Sequence, residues 1–231
     1  MEHIFTFNDI NSSDFGVWIS GGGTYNAPAK DVSVQAIPGR NGTITFDNGR
    51  FENIILTYPA FISRKFQHRI GDFRAALASQ VGYHRLEDTY HPDEFRLAMF
   101  KSGLDVTTTT RNLAGYFDIV FDCKPQRFLK LGETETSWAS GSIIYNPTRF
   151  EALPLIKATG NGTLTLNGTE MTVTDNDSYI MIDCDLQDAY RGGVNCNNMI
   201  TYDFPTLSPG DNELTYSGFT SIEITPRYWT I

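Results

Sequence analysis

The chain has 231 residues, 40% of them hydrophobic, 19% charged and 13% aromatic, with a formal net charge of −9. That length allows one large domain or two small ones, the composition is too apolar for a disordered protein, and the acidic balance argues against a general or sequence-specific nucleic-acid binder and against an anionic-membrane binder. No apolar stretch approaches the ~18 residues needed to span a bilayer. The start, Met1-Glu2-His3-Ile4-Phe5, lacks the basic and apolar regions of a signal peptide. Three scattered cysteines, Cys123, Cys184 and Cys196, are too few for a disulfide framework or a four-ligand zinc site, and fit synthesis in a reducing compartment.

The charge is unevenly placed. Residues 1–130 hold 14 basic and 14 acidic side chains, whereas residues 131–231 hold 4 and 13, so the whole deficit falls in the second part. Such a step predicts two domains, 1–130 and 131–231, with a boundary in the polar run Leu131-Gly132-Glu133-Thr134-Glu135-Thr136-Ser137. The alternative is an ordinary loop in a single β domain.

In chain order, Phe5 and Phe7, then Phe15, Val17 and Ile19, alternate with other residues as in half-buried strands. Val32, Val34 and Ala36 repeat the alternation until Pro38-Gly39 breaks it. Residues 43–46 and 51–58 read as two strands joined by a tight turn at Asp47-Asn48-Gly49, with Pro59 ending the second. One main helix is predicted at about 64–81. Phe66, Ile70, Phe73, Leu77 and Val81 share a face, Ser63 caps the first turn, and Gly82 supplies a left-handed residue after the last. Arg64, Lys65, Arg69 and Arg74 lie off that face and read as a solvated surface.

Residues 94–101 and 115–123 are strand-like, with Phe117, Ile119, Phe121 and Cys123 on one side of the latter; the Thr-rich 102–113 stretch between them reads as a loop or long hairpin arm. The second half is plainer. Asn167-Gly168 between residues 163–166 and 169–173 has the form of a type I′ hairpin. Residues 179–182, 199–202, 213–216 and 221–225 are further short strands at a spacing typical of a sandwich or jelly roll. The fold class is therefore mostly β with one main helix.

Candidate chemistry is thin. His84, Asp88, His91 and Asp93 fall within ten residues, but His-x6-His matches no helical or hairpin ligand pattern, and Pro92 suits a structural turn. Asp183 and Asp185 would share one side of a strand, as paired carboxylates of a glycosidase could, yet in an acidic β domain solvated carboxylates are commoner. There is no Gly-x-Ser-x-Gly elbow, and Gly21-Gly22-Gly23 is not followed by Lys-Ser or Lys-Thr, so it is no phosphate loop. Nothing positive supports catalysis, a metal or a cofactor. The chain reads as a non-enzymatic, β-rich binding or assembly protein.

Several runs, taken in order, carry a resemblance. They are Ile37-Pro38-Gly39-Arg40-Asn41-Gly42, Tyr83-His84-Arg85-Leu86-Glu87-Asp88, His91-Pro92-Asp93-Glu94-Phe95-Arg96, Cys123-Lys124-Pro125-Gln126-Arg127-Phe128, Asn146-Pro147-Thr148 and the end Ile224-Thr225-Pro226-Arg227-Tyr228-Trp229-Thr230-Ile231. Together they resemble the distal tail protein (Dit) family of long-tailed, non-contractile phages, over nearly the whole chain. The resemblance implies a virion protein of the phage tail tip, made in the bacterial host cytoplasm, and a homo-hexameric ring. In that ring the first domain is β-sandwich-like, stacks on the major tail (tube) protein, and meets the tail-associated hub protein. The second domain would be a galectin-like β-sandwich projecting outward to dock receptor-binding or other baseplate proteins.

On this reading function means interface. The loop Pro38, Gly39, Arg40, Asn41 and Gly42 is the first candidate for self-assembly, because Pro and two Gly fix its shape and Arg40 can reach a neighbour's carboxylate; a plain hairpin turn with a solvated Arg is the alternative. Edge strands of the first domain, including an arm in 102–113, come second. Tyr190, Tyr202, Tyr216 and Phe219 are candidates for a partner-docking patch, with core packing as the alternative. The closing Pro226-Arg227-Tyr228-Trp229 reads as a strand that seals a sandwich. Two other classes stay open: a lectin-like module recognising cell-wall glycans through residues 131–231, and a hydrolase using Asp183 and Asp185.

Overall fold

The structure, a computed structural model, describes residues 3–23, 25–109, 113–201 and 203–231. The chain divides into two compact units, the first running to Arg127 and including Ile231, the second running from Phe128 to Thr230. Among the described residues it is mostly β-strand with one α-helix.

The first unit comprises β1 (Phe5–Phe7), β2 (Ile10–Asn11), β3 (Val17–Ile19), β4 (Lys30–Ala36), β5 (Thr43–Phe51), β6 (Ile54–Ile62), α1 (Phe66–Ala78), β7 (His84–Asp88), β8 (Glu94–Met99), β9 (Val106–Thr108) and β10 (Gly115–Leu129). Its main sheet has the order β2-β1-β7-β8-β10-β6-β3, and β9 also pairs β10. An antiparallel bridge between His3 and Ile19 brings the start of the chain against β3, so the sheet curls on itself. Alternation fixes which side of each strand enters the core. Leu56, Tyr58, Ala60 and Ile62 of β6 and Phe117, Ile119, Phe121 and Cys123 of β10 point inward, paired from Cys123↔Ile54 to Gly115↔Ile62. The core is aromatic: Phe121 lies 5.6 Å from Phe5 and 5.0 Å from Phe7, ring centre to ring centre.

Helix α1 buries Phe66, Ile70, Phe73 and Leu77 against that core. It is shorter than the predicted 64–81. Val81 is 88% exposed, because the helix stops at Ala78, where Ser79 N donates to the Ala75 carbonyl and Ser79 Oγ to that of Ala76. Its cap is Lys65 in the left-handed region, without a side-chain hydrogen bond, rather than Ser63. Phe15 belongs to a 3-10 turn, Ser12–Phe15, and not to a strand. The Phe66 ring fills the space a side chain would need at Gly115, where a Cβ would meet it at 2.4 Å.

Two further expectations are corrected. Asp47-Asn48-Gly49 is not a turn but lies inside β5, where Asp47 Oδ1 accepts from Gly49 N at 2.9 Å. The left-handed Gly49 serves an irregularity opposite Lys30–Val32, where the β4–β5 register shifts. Pro59 does not end its strand: it sits within β6 opposite Asp118. Its carbonyl accepts from Ser20 N, just past the end of β3, so its missing N–H faces a side where no strand continues.

The second unit comprises β11 (Thr136–Trp138), β12 (Ser142–Asn146), β13 (Leu155–Thr159), β14 (Gly162–Leu166), β15 (Thr169–Val173), β16 (Tyr179–Asp183), β17 (Asp188–Arg191), β18 (Val194–Asn195), β19 (Gly210–Ser217), β20 (Ser221–Thr225) and β21 (Trp229–Thr230). One sheet has the order β11-β20-β13-β16-β17-β18 and the other β12-β19-β14-β15. Their inward residues, among them Ile156, Ile182, Ile224, Leu164, Met171 and Leu214, share one core, which makes a β-sandwich. Asn167 and Gly168 take positive φ between β14 and β15, as a type I′ hairpin demands. The strand expected at 199–202 is absent: Asn197–Met199 is a 3-10 turn, Ile200 makes a single bridge to Val173, and Tyr202 lies outside the described residues.

Cys123 and Cys184 are buried in separate cores, and burial above all pushes each thiol up to about 12. Neither is expected to react with an aromatic disulfide reagent at pH 8 in the folded protein, and both become titratable in denaturant. Rapid labelling of either under native conditions would contradict the packing described.

Candidate assembly surface

Among the described residues, strands β4 and β5 form a two-stranded sheet of their own, pairing only with each other. The turn at its tip is the predicted assembly loop. Arg40 N donates to the Ile37 carbonyl at 3.2 Å, which places Pro38 and Gly39 at the two central positions. Gly39 has φ +78°, as the third residue of a type II turn requires. Pro38, Gly39, Arg40, Asn41 and Gly42 are all exposed.

Register assigns the faces, since directly paired residues in an antiparallel ladder share one side. Ser33↔Phe46 and Gln35↔Ile44 place Ile44 and Phe46 on one face; Val34↔Thr45 and Ala36↔Thr43 place Val32, Val34 and Ala36 on the other. Both faces are solvent-exposed: Val34 is 60% and Phe46 54% accessible. Polar links hold the base of the ribbon. Arg50 Nε pairs with Asp31 at 2.6 Å, Asn48 Nδ2 donates to Asp31 at 2.8 Å, and Lys30 pairs with Asp47 at 3.3 Å. Hydrogen bonds from Asn48, then Arg50, hold the Asp31 carboxyl below its usual range. The ribbon thus has a fixed register and, among the described residues, no apolar cover on either side.

The other named residues are placed as follows. Tyr216 and Phe219 meet edge to face at 6.4 Å and lean on the second core, with Tyr216 Oη donating to the Trp138 carbonyl. Tyr190 is half-buried on β17, in the other sheet of the sandwich. In the 102–113 stretch, β9 pairs β10 from Val106↔Phe117 to Thr108↔Gly115, and residues 110–112 lie outside the described residues.

Asp183 and Asp185 are not a carboxylate pair on a strand. Asp183 ends β16, and Asp185 lies in the turn that follows. Asp183 accepts from the backbone N–H groups of Asp185 and Leu186 and binds Arg227 bidentately, Nη1 to Oδ1 at 2.7 Å and Nη2 to Oδ2 at 2.9 Å. Burial alone would raise its carboxyl; the hydrogen bonds from Arg227 and the turn outweigh that and lower it. His84 and Asp88 stand at opposite ends of β7, and His84 Nε2 lies 3.0 Å from the Val81 carbonyl. Asp93 is exposed, and among the described residues no three His, Cys, Asp or Glu side chains converge as metal ligands would.

The Arg227 clamp anchors the end of the chain. Arg227 N donates to the Gly132 carbonyl, Leu129 N to that of Tyr228, and Tyr228 is buried with its Oη donating to the Tyr145 carbonyl. Gly132 lies so close beneath Tyr228 that a Cβ there would stand 2.5 Å from the Tyr228 nitrogen. Arg227→Ala is therefore expected to cost roughly 3 kcal/mol in denaturant unfolding at pH 7 by stranding a buried carboxylate. Because the folded-state carboxyl is depressed, the clamp's contribution is complete above the unfolded carboxyl's range and fades as pH falls through the lower folded one. The wild-type and Arg227→Ala unfolding curves should accordingly converge only in acid, and a difference that does not change with pH would contradict this.

No protein-family profile and no curated protein matches the chain by sequence. Among solved structures, the SPP1 Dit (gp 19.1) protein, a paradigm of the hub adsorption apparatus in phages infecting Gram-positive bacteria, matches with a TM-score of 0.78 at 11% identity, over 99% of each chain. A chain of the phage P2 baseplate in its activated conformation with Ca matches with a TM-score of 0.50 at 12% identity, over 96% of each chain. In fold, from end to end, the chain is similar to the Dit protein.

Proposed function

We propose that this chain is a structural subunit of a phage tail tip, six copies of which close into a ring through the β4–β5 ribbon. The observation that carries the reading is the ribbon itself, exposed on both faces with Val32, Val34, Ile44 and Phe46 uncovered. An isolated two-stranded ribbon is marginal in water. Covering those four side chains contributes roughly 4–6 kcal/mol per copy before association costs. A ring contact joins one surface of each copy to a different surface of the next, and a ribbon tipped by Arg40 supplies one half of such a contact.

The fold similarity to the SPP1 Dit protein, a paradigm of a hub adsorption apparatus, supports the placement in a tail; in our reading the tube protein lies on one side of the ring, the hub protein on the other, and receptor-binding or other baseplate proteins dock on the second unit. Charge supports the same division of labour. Residues 1–130 balance to zero and can sit against copies of themselves, while the −9 of residues 131–231 is repeated in every copy. Screening removes most repulsion beyond roughly 8 Å at physiological salt, so acidic units spread at a rim are tolerated where acidic units packed at the centre are not. On the second unit, the half-buried pair Tyr216 and Phe219 is proposed as part of the docking patch.

The test is the mass of the purified chain by size-exclusion chromatography with light scattering. The wild type is expected at six times the subunit mass, and Val34→Asp/Phe46→Asp as a single subunit with an unchanged unfolding midpoint, because neither residue belongs to a core. Arg40→Ala is expected to weaken the ring about tenfold. A mass unaffected by the double substitution removes the ribbon from the interface, and a wild type that stays single at every concentration rejects the ring.

A further inference from the structure

The main sheet of the first unit turns one side away from the core, and part of that side is aromatic. Strands β3, β6 and β10 are neighbours in the order β10-β6-β3. Val17 and Ile19 of β3, Ala60 and Ile62 of β6, and Phe117 and Ile119 of β10 are buried. By alternation Trp18, Phe61 and Tyr116 point to the opposite side. Register sets these three in one row: Trp18 is paired directly with Phe61, and Phe61 with Tyr116, the last two rings standing 6.4 Å apart. Tyr116 is 57% exposed, whereas Trp18 and Phe61 are half-buried and neither packs against the core. In the adjacent row, exposed Pro59 is paired with exposed Asp118.

Cross-strand aromatic neighbours steady a sheet, but a Trp, a Phe and a Tyr side by side outside the core also leave an apolar surface of the kind that carries the energy of an interface. What covers it follows from the ring reading, on which this inference rests. A ring contact needs two different surfaces, and the ribbon supplies one of them. The aromatic row matches the ribbon in two respects. Both are faces of antiparallel sheet, and such faces stack about 10 Å apart with their side chains interdigitated; the ribbon brings Ile44 and Phe46 on one face, 40% and 54% exposed. Their charges are also opposite. Arg40 at the ribbon tip and Asp118 beside the row are both exposed, and among the described residues neither has an ionic or side-chain hydrogen-bond partner.

We propose that Trp18, Phe61 and Tyr116 form the surface that receives the β4–β5 ribbon of the neighbouring copy. Ile44 and Phe46 of one copy lie on the aromatic row of the next, and Arg40 pairs with Asp118 across the contact. Each copy then gives its ribbon to one neighbour and takes the ribbon of the other, so both uncovered surfaces are closed by the same repeated contact.

The experiment uses the full chain, whose three native cysteines are buried. Phe46→Cys and Tyr116→Cys are placed in two differently tagged copies that are co-expressed and mildly oxidised. A disulfide-linked pair carrying both tags is expected on a non-reducing gel, and none when both copies carry Tyr116→Cys. By light scattering, Tyr116→Asp is expected to weaken the assembly about tenfold with an unchanged unfolding midpoint. Asp118→Arg is expected to weaken it similarly, and Arg40→Asp combined with Asp118→Arg to restore the wild-type mass. A six-copy mass untouched by Tyr116→Asp, or a six-copy assembly without the mixed-tag link, overturns this surface and leaves the ribbon and the ring standing. If the cysteine copies do not assemble, the charge exchange decides, and no regain of mass overturns the proposal. A wild type that stays single rejects the ring and this surface together.

Discussion

A β-ribbon two strands wide has two faces and two edges, and among the described residues of this chain nothing covers either face of the β4–β5 ribbon. In a half-buried strand the alternating apolar residues turn toward a core; here Val32 and Val34 on one face and Ile44 and Phe46 on the other have no core to turn to. The register is nonetheless pinned at the base by Asp31, Arg50, Lys30 and Asp47, and at the tip by the Pro38-Gly39 turn. A shaped, uncovered apolar ribbon is the signature of a surface completed by another molecule, and the assembly reading rests on that constraint.

The sequence is most legible where local chemistry has a single solution. Asn167-Gly168 between two alternating runs can do little but turn, and the inward Phe117, Ile119, Phe121 and Cys123 of β10 follow from period two. It is least legible where one residue type serves two geometries. Asp47-Asn48-Gly49 offers positive φ equally to a turn or to an irregular strand, and only the pairing of β5 along β4 decides between them. Pro59 looks like a terminator until its missing donor is seen to face the open side of β6. Val81 continues a helical spacing past the point where Ser79 has closed the helix.

Burial is invisible at that level too. Val32, Val34 and Ala36 alternate identically whether they face a core or water, so the pattern marks a strand without revealing that the strand is uncovered. The same gap hid two tertiary roles. Asp183, which could have been one of a catalytic pair, is the anchor for Arg227 and the turn after β16. Arg96, a lone basic residue between Phe95 and Leu97, occupies a core position. Long-range partners, 44 residues apart for Asp183 and Arg227, leave no local periodicity to read.

The central claim, that the ribbon joins copies into a closed ring, is tested most directly by native mass spectrometry of the wild-type chain beside its Phe46→Asp variant at matched concentrations. The account predicts a hexameric ion series for the wild type and the subunit alone for the variant. The same distribution of species in both samples contradicts it.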